Sequence, residues 1–306
     1  MKKHKFAILT FFLLVFLFSC RTVPDVPQEE PREYIPLEAG ALVYIFADVT
    51  TARPLLELFL FPELENRQVR QMLERTHTAA AALFPQESGR HFQLVSWGNY
   101  PTFRAGMGFS FNRQWRRRRS DAGDTFWHSR ENMLSLVVRA REAFVTAWTT
   151  DTPEYPVTPA PGIQYPEGFV EFKEGAVISF WLEDPQPRLN NIFQAVGLPL
   201  QLPAERAFVS LFSTEIENQY EAMLQVRVPT VTQARAFIAI LSLARAFMGP
   251  SAGIAVESSG PRGIMDIITA VLFANPPVLN DRDLNIRTAA LNEDDIALLF
   301  SLFLVQ

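Results

Sequence analysis

Short apolar runs of strand length recur along the chain, broken by turn residues and by a few longer stretches of helical period. Two of these runs begin alike. The first is Glu38-Ala-Gly-Ala-Leu-Val-Tyr-Ile-Phe-Ala-Asp48, followed by Arg53-Pro-Leu-Leu-Glu-Leu-Phe59. The second is Glu174-Gly-Ala-Val-Ile-Ser-Phe-Trp-Leu-Glu-Asp184, followed by Arg188-Leu-Asn-Asn-Ile-Phe193. Each predicts an apolar strand ending in Asp, then an Arg and a short amphipathic helix. Strand pairs are predicted next, Phe92–Trp97 with Arg104–Phe111 and Ala207–Ser213 with Tyr220–Val228. Each half closes on another pair, Met133–Val138 with Ala143–Trp148 and Leu284–Ala290 with Ile296–Val305.

The helices differ between the halves. Val69, Met72, Leu73, Thr76, Ala80 and Leu83 fall near a 3.6-residue period and predict a helix over Asn66–Leu83. In the second half Phe237, Ile240, Leu241, Ala244 and Phe247 form the apolar stripe of a helix over Val231–Met248, which Gly249-Pro250 ends. A short helix is expected over Arg262–Phe273. The last segment carries two signals. Asn292-Glu-Asp-Asp295 has the form of a helix N-cap and first turn, but the analogous place in the first half is a strand, and strand is the reading taken.

Hairpin-linked strands mixed with helices give an α+β class: two related domains, each an antiparallel sheet with helices on one face, of ferredoxin-like type. The similar openings point to a divergent internal duplication, with two unrelated α+β domains sharing common strand signals as the alternative. The organisation is a leader over residues 1–19, a tether over 20–36, a first domain over 37–148, a Pro-rich linker over 149–172 and a second domain over 173–306. The tether combines Pro24, Pro27, Pro31 and Pro36 with Asp25, Glu29, Glu30 and Glu33, a composition for an extended, solvated spacer.

The leader decides where the protein works. Lys2, Lys3 and Lys5 precede a nearly unbroken apolar run from Phe6 to Phe18, too short for a comfortable membrane span. Leu17-Phe18-Ser19-Cys20 then closes the run on the one cysteine of the chain. This tetrapeptide resembles the lipobox of bacterial lipoproteins, in the relaxed form found among spirochaete lipoproteins, with Phe18 where a small residue is more usual. The resemblance covers only residues 1–20. It implies that the Cys20 thiol takes a diacylglycerol, that the leader is cut before it, and that the new amine is acylated, often with palmitate. The implied location is the cell envelope, on the periplasmic side, with the membrane as first partner. Arg21 after the Cys does not signal inner-membrane retention.

Charge and composition then narrow the function. Lysine and arginine number 28 against 33 acidic residues; the leader removes Lys2, Lys3 and Lys5, leaving 25 against 33 and a mature net charge of −8. An exported acidic chain is poorly suited to nucleic acid, and none is expected as a partner. A lone cysteine allows no internal disulfide, so 26 Phe and a 48% hydrophobic content must build the core. Lys173 is the single lysine after the leader.

Catalytic signals are sparse. His77, His91 and His128 have no His, Cys or paired acid at metal-ligand spacing, and no metal or cofactor is expected. Asp281-Arg-Asp283 and Glu293-Asp-Asp295 lack the glycine and alternation of a calcium loop. Asp48 and Asp184 occupy matching places, where a carboxylate that ends a strand and caps the next helix is the simpler role than acid–base chemistry. There is no G-x-S-x-G, and Gly106-Met-Gly108 lacks the third glycine of a nucleotide cradle. No enzyme activity is expected.

Arg116-Arg-Arg-Arg119, set between Trp115 and Phe126-Trp127, is the sharpest charge feature. These arginines and aromatics are candidate contacts for anionic lipid or an envelope protein, against a plain solvated loop in which Asp121 and Asp124 offset the charge. The sequence therefore reads as a structural or interaction module at the membrane surface. The alternative is a carrier of lipid or another hydrophobic ligand, held between helix 231–248, the terminal run 296–305 and a sheet.

Overall fold

A computed structural model describes residues 34–59, 70, 72–151, 154–158, 161–195, 201–248 and 274–304. Cys20, the leader, most of the tether and the expected helix over 262–273 lie outside them.

The first half runs β2 (Val43–Asp48), α1 (Val49–Phe59), β3 (Thr76–Leu83), β4 (Arg90–Gly98), α2 (Thr102–Phe111), β5 (Trp115–Arg119), β6 (Thr125–Ser129), β7 (Leu134–Val138) and β8 (Glu142–Trp148), after a two-residue strand β1 (Tyr34–Ile35). A connector with β9 (Ile163–Gln164) and the single turn α3 (Phe169–Phe172) leads to the second half. There follow β10 (Ile178–Leu182), α4 (Pro185–Ala195), β11 (Arg206–Ser213), β12 (Gln219–Arg227), α5 (Val231–Met248), β13 (Val278–Asn280), β14 (Asp283–Arg287), β15 (Leu291–Asn292) and α6 (Glu293–Leu304).

The halves join edge to edge. β2 pairs with β10, so the strand order is β13-β14-β12-β11-β10-β2-β3-β4-β8-β7-β6-β5, with β15 on β12. Every pairing is antiparallel. Outward from the β2/β10 seam the two halves repeat one topology: strand, helix, two strands, helix, and a final hairpin whose second strand lies inside its first. The β5–β6 hairpin is the first half's addition, placed between α2 and β7.

One row of directly opposed residues crosses the sheet on a single face: Trp127, Leu136, Val145, Leu94, Ala81, Ile45, Phe180, Val209, Leu224 and Ile286. The helices cover this face. Ala52 and Leu55 of α1, Leu189 of α4, Ala234, Phe237 and Leu241 of α5, and Ile296 of α6 share one buried cluster with the strands of the second half and the seam. Phe237, Leu241 and Ile296, from the elements the carrier reading would use, are thus packed into that core.

The opposite face is covered by the connector. Tyr155, Val157, Ile163, Tyr165, Phe169 and Phe172 pack with Tyr44, Phe46, Trp181 and Phe208 of the central strands. β9 also pairs with β1, which clips the N-terminal segment beneath the sheet. At Gly162 φ is +81° and an added Cβ would lie 2.1 Å from the Ile35 carbonyl oxygen, so this clip needs glycine.

Several expectations are corrected. The helix over Asn66–Leu83 cannot extend through its last eight residues, which are β3. β3 pairs on both sides, and its small Ala80 and Ala82 leave room for Phe46 and Phe144 in the buried cluster; the sheet overrides alanine's helical preference. Arg104–Phe111 is not a strand but part of α2, where Gly106 and Gly108 imitate a two-residue alternation. The strand expected over Ile296–Val305 is α6. Its N-terminus is closed reciprocally: the Asp295 amide donates to Asn292 Oδ1 (2.8 Å) and the Asn292 amide to Asp295 Oδ2 (3.1 Å). The closing pair of the second half is accordingly β13 with β14. His77, expected on a helix, and His91, expected before a strand, lie on β3 and β4.

Candidate interaction surface

Arg116–Arg119 form most of β5, the terminal strand of the sheet, and not a loop. The hairpin is closed by Ser120–Asp124: the Ser120 amide donates to the Asp124 carbonyl (2.8 Å) and the Gly123 amide to the Ser120 carbonyl (2.9 Å), with Gly123 at φ +90°. This turn fixes the register Arg116↔His128, Arg117↔Trp127 and Arg118↔Phe126. Strand alternation then sends Arg117 and Arg119 to the helix-covered face and Arg116 and Arg118 to the other. All four arginines are exposed, and none forms an ion pair among the described residues. Arg117 Nη2 has a long hydrogen bond to Thr125 Oγ1 (3.4 Å).

Trp115 and Trp127 are brought together by α2. Phe109 sits between them, with ring centroids 5.1 Å from Trp115 and 5.7 Å from Trp127. The outer side of α2 is apolar as well: Phe103 is 65% exposed, Met107 37% and Phe111 84%. These three are spaced four residues apart and form a stripe along the helix. In the equivalent helix α5, Ile240 and Leu243 are also exposed. The sequence did not single out Phe103, Met107 and Phe111, because a strand over Arg104–Phe111 leaves Phe103 outside and sets Met107 and Phe111 about 13 Å apart, against about 6 Å along a helix.

Below β5 lies a polar relay that no sequence signal marks. His128 of β6 and Ser135 of β7 are fully buried on the connector side. Trp148 Nε1 donates to Ser135 Oγ (3.0 Å), which lies 3.2 Å from His128 Nδ1; His128 Nε2 lies 3.0 Å from Asp151 Oδ1. Trp148 can only donate and the ionised carboxylate can only accept. The carboxylate therefore accepts from a protonated His128 Nε2, and Ser135 Oγ, which accepts from Trp148, lies against Nδ1. Arg130 Nε donates to the other Asp151 oxygen (2.6 Å). His128 first, then Arg130, hold the Asp151 carboxyl below its usual range. The residue types are those of a serine hydrolase, but Ser135 is buried within the sheet and out of reach of a solvent-borne substrate. What the relay does is pin the start of the connector to the β6–β8 layer.

The other sequence candidates do not converge. Asp48 caps α1, accepting from the amides of Thr50 (3.0 Å) and Thr51 (3.3 Å). The antiparallel seam places Asp48 beside Val177 and Glu183 beside Leu42. Asp48 and Asp184 therefore end opposite edges of the strand pair, about 20 Å apart at strand rise. Asp283 is in a bidentate ion pair with Arg227, both bonds 2.7 Å. No helix among the described residues is long and apolar enough to cross a membrane.

No protein-family model matches the chain, and no curated protein matches it. The fold is similar to that of TP0453, a Treponema protein, in three of its crystal forms. Crystal form III superposes with a TM-score of 0.57 at 13% identity, over 89% of this chain and 98% of that one. Form IV gives 0.57 at 14% identity, over 89% and 96%, and form I 0.57 at 13%, over 90% and 98%. At such identities the likeness is one of fold.

Proposed function

We propose that this protein is a lipoprotein of a bacterial cell envelope, held to a membrane by acylated Cys20, whose folded body acts as an interaction module through β5 and not as an enzyme. The observation that carries the contact role is the state of Arg116–Arg119: four exposed guanidinium groups, without an ion pair among the described residues, on a terminal strand in a mature chain of net charge −8. Arg227, by contrast, is paired with Asp283 within the sheet. The anchor rests on the lipobox-like Leu17–Cys20, and the fold likeness to a treponemal protein is compatible with an envelope setting.

Each part has its own test. Intact-mass analysis of protein extracted from native membranes in detergent should give a triacyl-sized excess on a chain beginning at Cys20, lost in Cys20→Ala. An unmodified chain cut elsewhere would remove the anchor from the proposal. For the contact, the mature chain with Cys20→Ser should still associate with washed envelope fractions, and replacing Arg116, Arg117, Arg118 and Arg119 by Gln should release it. Equal retention of both forms would end the contact role.

A further inference from the structure

Resting on that contact role, we infer that β5 takes up an acidic, extended protein segment as an added strand, so that the partner's backbone continues the sheet and its carboxylates meet the arginines. The hydrogen-bond phase of the hairpin supports this. Ser120 and Asp124 are a bonded pair, and in the register of β5 with β6 the next bonded pairs are Arg118/Phe126 and Arg116/His128. Arg117 and Arg119 therefore turn their amide and carbonyl groups away from the sheet. Neither has a backbone partner on that side among the described residues. Trp115 comes next in the same phase, and its amide is already bonded to the Asn112 carbonyl (3.1 Å). The open edge thus offers a strand two outward donors and three outward acceptors.

Charge selects the occupant. An added strand alternates its side chains with those of β5, and two guanidinium groups point to each face, so carboxylates on either face find a partner. A second copy of β5 is the wrong occupant, since arginine would meet arginine along its length. Charged edges commonly guard against unwanted pairing, and one or two cations suffice for that. Four in succession, on a strand whose first residue Trp115 packs against Phe109 of α2, instead present a charge pattern with a preferred complement. An anionic bilayer would satisfy the guanidinium groups, but phosphate offers acceptors only and leaves the outward carbonyls to water.

The test uses the full mature chain with Cys20→Ser. Its probes are a capped hexapeptide, Thr-Glu-Val-Glu-Thr-Glu, the same peptide with Lys for Glu, and vesicles of phosphatidylglycerol and phosphatidylcholine. The acidic peptide should bind, slow hydrogen exchange at the Arg117 and Arg119 amides, and leave the Lys peptide unbound. Arg117→Ala removes a charge and keeps the amide; Arg117→Pro also removes an outward donor that β6 does not use, leaving the hairpin ladder complete. The proline variant should bind the peptide about tenfold more weakly than the alanine variant, the worth of roughly one hydrogen bond. Arg119→Pro serves as the second variant if Arg117→Pro loses its native circular dichroism. Equal peptide affinity of the alanine and proline variants overturns strand addition. So does binding to vesicles but not to the acidic peptide, which would make the partner a headgroup surface and leave the contact role standing. Loss of both, with the Gln variant still on the envelope fraction, would end the contact role as well.

Discussion

Tyr44 and Trp181 stand directly opposite each other on β2 and β10 and stack with ring centroids 4.5 Å apart, across the seam where the two halves of the sheet meet. Trp181 also packs against Phe169 of the connector, so one side chain ties the first half, the second half and the segment between them. Trp181→Ala should cost about 3–5 kcal/mol. Because the seam is continuous sheet, denaturant unfolding followed by tryptophan fluorescence and far-ultraviolet dichroism should give coincident transitions. Separate transitions for the two halves would show that the seam does not couple them.

Gly162 offers a local test of the clip between β1 and β9. Alanine there must take a left-handed φ and press its Cβ on the Ile35 carbonyl. Gly162→Ala should destabilise by about 2–3 kcal/mol and open the N-terminal segment to limited proteolysis before the sheet.

The Arg227–Asp283 pair joins β12 to β14 with both groups mostly buried. Asp283→Ala strands the guanidinium and should cost about 2–3 kcal/mol in chemical denaturation, more than the exposed bridge from Arg287 to Glu221 loses in Glu221→Ala.

Tyr165, on the connector, has its phenol pushed up to about 12 by burial. Its folded pKa is above its unfolded one, so this stabilisation is complete below about pH 10 and is lost as pH rises towards 12. Titration at 295 nm should show a late phenolate step that Tyr165→Phe removes. A step near 10 would place Tyr165 in solvent.

Asn292 and Asp295 give the smallest effect. Asn292→Ala removes one arm of the cap on α6 and should cost about 1 kcal/mol, read as a lowered midpoint in thermal unfolding.

The sequence carried the class and the strands at the seam, because those rest on runs that are apolar wherever the chain is buried. It did not carry their phase. Aligning Glu38–Asp48 with Glu174–Asp184 makes Tyr44 and Phe180 equivalent, yet Tyr44 faces the connector and Phe180 the helices. β10 is buried on both faces, so no polar alternation records which way each side chain points. The same silence hid β3, an alanine-rich run whose strand form depends on two neighbours distant in sequence. For the candidate surface, the arginines, Trp115 and Trp127 were visible as residues. Their edge position was not, since it follows from the order of thirteen strands. The His128–Ser135–Asp151 relay had no local sign, because its members come from two strands and the connector.

The clip between β1 and β9 also bears on mechanics. Tyr34 in the clip is followed, from Val43, by β2, a strand bonded along both edges in the middle of the sheet. A pull on the N-terminal end therefore loads the clip first and then drags β2 lengthwise between β3 and β10. That is a shear of two ladders at once, in which the bonds share the load instead of unzipping in turn. The clip and the two ladders of β2 thus resist such a pull together.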